Sequence, residues 1–178
     1  MEKGMERIEK DLQDPVLAAY HEQFGRELRD QNALFERLSL QIYAAGLQWE
    51  TIVKKMPAYR GLFYDYDVAK VAGMSPDELA DQVDHYPDVI KNHAKLTATI
   101  TNATVIKRLS AGETSFIDYL TSLLPEGLPV AGPRTELADL AVTISKQMKK
   151  DGFSFTGPST VRVFLDSIGL FKPQRQAD

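Results

Sequence analysis

Apolar positions along this chain recur at helical spacing. Residues 15–24 and 30–46 place apolar groups at i, i+3 and i+4, as Leu34, Phe35, Leu38, Ile42 and Ala45 do. The same period continues from Trp49 to Phe63 through Ile52, Val53, Met56 and Tyr59, with Pro57 as an expected bend. A short helix is expected over Asp67–Ala72. Ser75-Pro76-Asp77-Glu78 reads as a helix start, with the serine as N-cap and the proline in the first helical position. A longer helix is expected from Pro87 to Leu109. Another spans 115–124, capped by Ser115, with Phe116, Tyr119, Leu120 and Leu123 on one face. Residues 125–133 hold Pro125, Gly127, Pro129, Gly132 and Pro133 and are the one expected loop or hinge. Helices over Glu136–Lys150 and Ser159–Ile168 complete the pattern. No alternation of period two lasts long enough for a sheet, and there is no internal repeat. The expected fold class is therefore all-α, a single compact helical domain over residues 1–178.

Composition agrees with one soluble domain. A chain of 178 residues buries about 70% of its unfolded surface and needs no covalent staples. With 43% hydrophobic and 26% charged residues it is neither disordered nor fibrous. No apolar run approaches the ~18 residues of a membrane span, and Met1–Arg7 lacks the apolar core of a secretory signal. The absence of cysteine removes disulfides, thiolate nucleophiles and cysteine-ligated metal. The expected location is cytoplasmic. A net charge of −4 argues against non-specific coating of nucleic acid, but the average hides asymmetry. Residues 91–108 carry Lys91, Lys95, Lys107 and Arg108 without an acid, and residues 146–178 are also net basic, an arrangement compatible with one basic face.

Three stretches carry candidate chemistry. In Met148–Val161 a helix ends at Gly152, Phe153 and Phe155 flank Ser154, and a second helix starts after Gly157-Pro158. Gly157 is expected to take a backbone conformation closed to other residues. Ser159 and Thr160 then offer hydroxyls beside free N–H groups at a helix start, which suits a phosphate. The same stretch also reads as a helical hairpin used only for packing. In Gln41–Glu50 the only tryptophan, Trp49, follows a Gly-Leu break, either as core or as a wall for stacking a ligand ring. In Ala19–Gly25, His21 has no second His or Cys at metal-ligand spacing, and His85 and His93 lie far away. There is no Gly-x-Ser-x-Gly, no phosphate loop and no dinucleotide fingerprint. The acid pairs Asp65/Asp67 and Asp77/Glu78 sit where capping explains them.

Taken in order, these residues resemble a family. Tyr20-His21…Phe24-Gly25, Ala33-Leu34-Phe35-Glu36, Ala45-Gly46-Leu47-Gln48-Trp49-Glu50, Ile90-Lys91-Asn92-His93-Ala94-Lys95 and Lys149-Lys150…Gly152-Phe153-Ser154-Phe155-Thr156-Gly157-Pro158-Ser159-Thr160 look like DNA 3-methyladenine glycosylase type I. The resemblance covers roughly residues 13–171. It implies a helix-hairpin-helix glycosylase, with the hairpin element at about 140–168. It also implies a base-excision enzyme that flips an alkylated base from double-stranded DNA and hydrolyses its N-glycosidic bond. By this analogy Trp49 stacks on the base, Tyr20 hydrogen-bonds its edge, Phe24 lines the pocket, and Gly46-Leu47 wedges into the duplex. Lys150, Gly152, Gly157, Ser159 and Thr160 then hold the DNA backbone. The chain is expected to act as a monomer, without cofactor and without a membrane.

The departures from the family pattern bear on specificity. Gln41 stands where the family has a glutamate. A carboxylate recognises a cationic base through charge-assisted bonds roughly twice as strong as neutral ones. Phe24 and Thr121 stand where tryptophan is usual. Of the family's zinc ligands only His21 remains, so no zinc is expected and the chain ends are expected to be tied by ordinary packing. Gln41 also motivates the alternative of a non-catalytic, lesion-sensing relative.

Overall fold

The computed structural model describes residues 2–124, 130–132 and 134–173. The helices follow from their caps. Asp14 accepts from Val16 N and Leu17 N to start α2 (Pro15–Gln23), and Asp30 accepts from Ala33 N to start α3 (Gln31–Ala44). These follow α1 (Glu2–Asp11), which the sequence pattern did not call. After α3, Gly46 takes φ +81, a left-handed turn that ends one helix before α4 (Trp49–Leu62). α4 runs unbroken through Pro57. Asp67 caps α5 (Val68–Ala72), and Ser75 caps α6 (Pro76–Val83), as expected.

α7 (His93–Ala111) starts later than the sequence suggested. Asn92 accepts from Lys95 N and fixes the helix start, so 87–92 is a turn followed by irregular chain. Ser115 caps α8 (Phe116–Ser122). The loop expected over 125–133 lies outside the described residues apart from 130–132. The chain then forms α9 (Arg134–Lys150) and α10 (Pro158–Ser167). Two three-residue strands, β1 (Val130–Gly132) and β2 (Phe171–Pro173), pair in parallel. They are the only strands among the described residues, and the fold remains all-helical.

α3 is the axis of the core. Leu34, Phe35, Leu38, Leu40, Ile42 and Tyr43 are all buried, and α3 touches α4, α5, α7, α8 and α10. Next to it Tyr43 stacks on Tyr59 with centroids 4.4 Å apart, and its hydroxyl meets Thr99 Oγ1 at 2.7 Å. The end of α10 is tied to the α2–α3 connection by backbone bonds. Gly25 N donates to Ser167 O at 2.9 Å, and Leu28 N donates to Ile168 O at 3.0 Å. Gly169 allows this approach. It sits at φ +73, and a Cβ on it would lie 2.7 Å from Arg26 C, Glu27 N and Gly25 O. No helix among the described residues is long and apolar enough to cross a membrane.

Candidate functional site

Helices α2, α3, α4 and α10 surround a cavity of ≈ 500 Å³. α2 supplies Tyr20, His21 and Phe24. The end of α3 supplies Gln41, Ala44 and Ala45, Trp49 opens α4, and α10 supplies Ser159, Thr160 and Val163. The i, i+4 spacing on α2 brings Tyr20 and Phe24 edge to face, with centroids 5.8 Å apart. Trp49 lies tilted against Tyr20 at 5.4 Å and edge-on to His21 at 5.0 Å. It is half-buried, so its ring serves as cavity wall as well as core.

One polar pair marks the cavity. Gln41 Nε2 donates to the Tyr20 hydroxyl at 3.1 Å. Gln41 itself lines the cavity. Burial raises the Tyr20 phenol above its ordinary range, helped by the charge on Asp166 and opposed by the bond from Gln41 and the charge on Arg37. The Arg37 guanidinium lies 5.3 Å from the centre of the Tyr20 ring and donates to Ser167 O at 2.9 Å. Burial lowers its pKa in turn. Among the described residues no acidic side chain lines the cavity, although the charge on Asp166 acts on the Tyr20 phenol and adds to its rise.

At the rim, Ala45 and Trp49 bracket the Gly46-Leu47 turn, and Leu47 stands 50% exposed. Lys95 of α7 holds this turn in place. Its Nζ donates to Tyr43 O at 3.1 Å and to Ala45 O at 2.8 Å, which satisfies carbonyls left open at the end of α3.

The α9–α10 connection is clamped at three points. Asn102, fully buried on α7, accepts from Ser154 N at 2.7 Å and donates to Ser154 O at 3.1 Å. Tyr119 donates to Asp151 Oδ2 at 2.6 Å, and Ser145 donates to Thr156 O at 2.6 Å. Gly152 takes φ +101 where α9 ends. Gly157 does not fit its expectation. It lies at φ −69 and ψ 166, open to any residue, and the left-handed position of the loop falls on Phe155 at φ +59. Nothing stands within 4 Å of where a Cβ would sit on Gly157, so neither its conformation nor its surroundings among the described residues require a glycine. α10 begins without a side-chain cap, which leaves its first N–H groups free for a ligand.

The structure thus brings Tyr20, Phe24, Gln41 and Trp49 together. It also places Ser159 and Thr160 on the same cavity, where the sequence had assigned them only to the DNA backbone. Lys150 lies apart at the exposed end of α9, and Gly152 borders a separate groove with Arg108. Thr121 bonds back to Ile117 O within α8 and is not on the cavity. Arg37, Val163 and the clamping roles of Lys95 and Asn102 were missed. The signal for Arg37 was a charge in register with Leu34, Leu38 and Gln41.

A zinc ion does not fit these residues. His21 Nε2 is buried without a hydrogen-bond partner, but its ring packs on Trp49. No group of three or more His, Cys, Asp or Glu side chains gathers among the described residues. Residues 174–178 at the C-terminal end lie outside the described residues.

The methyladenine glycosylase family model matches residues 10–176. The chain is similar to DNA-3-methyladenine glycosylase 1 of Escherichia coli (strain K12), 31% identical over 173 residues, or 93% of this chain and 91% of that protein. It is also similar to DNA-3-methyladenine glycosylase of Haemophilus influenzae, 30% identical over 158 residues, or 85% of this chain and 84% of that protein. Among solved structures, 3-methyladenine DNA glycosylase I from Staphylococcus aureus, studied for its recognition of 3-methyladenine, superimposes with a TM-score of 0.78. Its identity is 35%, over 89% of this chain and 87% of that chain.

Proposed function

The chain belongs to the methyladenine glycosylase family, and from that premise we propose that it is a base-excision DNA-repair enzyme. It flips an N3-alkylated adenine out of the duplex and hydrolyses the bond joining base to sugar. The observation that carries this reading is the join between cavity and rim. An aromatic cavity with one polar pair opens directly beside an exposed Gly-Leu turn and an uncapped helix start.

The chemistry suits a cavity without an acid. N3-alkylation makes the adenine cationic while it is attached to the sugar. When the C1′–N9 bond breaks, the electron pair returns to the base and cancels that charge, so no proton donor is required. Water then bonds to C1′ and releases a proton. What remains for the protein is extrusion, stacking and positioning. Trp49 stacks on the base, Tyr20 and Gln41 bond its edge, and Phe24 closes the mouth. Leu47 fills the gap in the duplex from the left-handed Gly46 turn. α9 and α10 act as the helix-hairpin-helix. Lys150, Gly152, Gly157, Ser159 and Thr160 meet phosphates there, with Ser159 and Thr160 also at the cavity edge. Because wedge, cavity and hairpin all come from one chain, the enzyme acts as a monomer. Its place is the cytoplasm, where the chromosome of a bacterial host such as those of its relatives lies.

The amide at position 41 favours a second reading, a relative that binds lesions without excising them. Trp49→Ala separates the two. On the catalytic reading it cuts base release at least tenfold (about 1.4 kcal/mol) and leaves affinity for undamaged duplex unchanged. A wild-type protein that binds abasic duplex but releases no base supports the second reading.

A further inference from the structure

α1 takes no part in the cavity, the wedge or the hairpin, and it lies almost wholly ahead of the segment matched to the family, residues 10–176. Residues 3–10 are all exposed. The apolar residues fall at i, i+3 and i+7, with Met5 62%, Ile8 52% and Leu12 52% exposed. Leu12 continues the last turn, since its N–H donates to Ile8 O at 2.9 Å. The three side chains therefore share one face of the helix as a stripe.

The seating of the helix turns that stripe outward. Lys3, Arg7 and Lys10, spaced i, i+4 and i+7, share the opposite face. From that face Arg7 donates to Glu50 Oε1 at 2.6 Å, in the first turn of α4. The basic side of α1 thus meets the body of the protein, and the apolar stripe is left to solvent.

Charge along the edges of the stripe selects what can cover it. Glu9, four residues from Met5 and three from Leu12, follows one edge, with Glu6 beside it. Asp11, three residues from Ile8, follows the other edge. None of these acids forms an ion pair among the described residues. Acidic edges repel DNA and an anionic lipid surface. They also repel a second copy of the same helix, because in either orientation acid would meet acid. A face about 15 Å long and 10 Å wide is besides far below the ~800 Å² that each partner buries in a stable complex. It suits a weak contact between helices.

We propose that α1 is a docking helix for a partner protein that presents an apolar helical ridge edged with lysine or arginine. The ridge covers Met5, Ile8 and Leu12, and its cations meet Glu6, Glu9 and Asp11. A helix of 10 residues is marginal in water by itself, so covering the stripe also stabilises α1. The proposal is independent of the glycosylase reading.

The full chain would be titrated by calorimetry with a synthetic amphipathic helical peptide that carries leucine along one face and lysine along both edges of that face. The same peptide with glutamate along the edges is the control. The lysine-edged peptide is expected to bind about tenfold more tightly than the control, and Met5→Ser with Ile8→Ser to weaken that binding about tenfold at unchanged Tm. These substitutions keep the net charge at −4, so general attraction to an acidic chain does not explain such a loss. Glu6→Lys with Glu9→Lys is expected to erase the preference for lysine edges. Equal binding of the two peptides, or binding that the stripe substitutions leave unchanged, overturns the proposal. So does a dimer in sedimentation velocity, or adsorption to phosphatidylglycerol vesicles, that the stripe substitutions abolish.

Discussion

Lys95 is expected to act at a distance from the base, by holding the turn that carries the proposed wedge. Its ammonium donates to Tyr43 O at 3.1 Å and Ala45 O at 2.8 Å, where the end of α3 also places partial negative charge. Lys95→Met keeps the stem and removes both bonds. Charge-assisted bonds contribute about 1.5–3 kcal/mol each when well shielded. Lys95 is only half-buried, and burial already lowers its pKa, so the pair together is worth nearer ~2 kcal/mol. For a chain of this length that is a fall in Tm of about 4–8 °C. The effect on catalysis is expected to be larger in proportion, because a loosened Ala45–Trp49 turn misplaces Leu47 and Trp49 together. Single-turnover release should fall roughly 10- to 100-fold. Affinity for undamaged duplex and its salt dependence should not change, since Lys95 is engaged with carbonyls and not with phosphate. Lys95→Arg should recover part of the rate by supplying donors to the same carbonyls. Single-turnover excision alongside salt-titrated duplex binding checks this. An unchanged rate, or a salt slope smaller by about one phosphate contact, would refute the positioning role.

Other expectations follow from the same geometry. Gly169→Ala places a Cβ 2.7 Å from three backbone atoms at a residue with φ +73. Strain and overlap together should cost about 3–5 kcal/mol, and a drop in Tm below ~2 °C would mean that the two chain segments do not meet there. Asn102→Ala unclamps Ser154 at both N and O, so it should weaken binding to every DNA sequence alike by about tenfold; a loss confined to damaged DNA would contradict this. Tyr20 has a pKa raised by burial above 10.0, so its neutral form is favoured in the folded protein. Its stabilising contribution is whole below that value and is lost as pH rises through the folded pKa. Base release should accordingly show no falling limb from this phenol between neutral pH and 10. A falling limb near pH 8–9 that disappears in Tyr20→Phe would show the sign to be wrong.

Most helices were legible because their starts are written in caps. Asp67, Ser75 and Ser115 each bond an N–H of the first turn, and the apolar period behind them does the rest. α1 was not legible, because its apolar residues Met5 and Ile8 find no core and remain 62% and 52% exposed, as does Leu12 just past its end at 52%. The start of α7 was set too early because Val89 and Ile90 continue the apolar pattern although Asn92 makes the cap. The cavity residues were legible through the order of motifs, which fixed Tyr20, Phe24, Gln41 and Trp49 before any geometry. What sequence order could not convey was who holds them. Arg37 reaches a carbonyl 130 positions away, and Lys95 reaches carbonyls 50 and 52 positions away. Such bonds carry no local pattern. Gly157 shows the opposite error, since a glycine next to a helix start invited a special backbone conformation that Phe155 adopts instead.

The most direct test of the account is to incubate purified protein with duplex DNA carrying a single N3-methylated adenine and to separate the free bases. The account predicts release of 3-methyladenine that falls at least tenfold in Trp49→Ala (about 1.4 kcal/mol). No release by a protein that binds abasic duplex tightly would contradict it and leave a lesion-binding protein in its place.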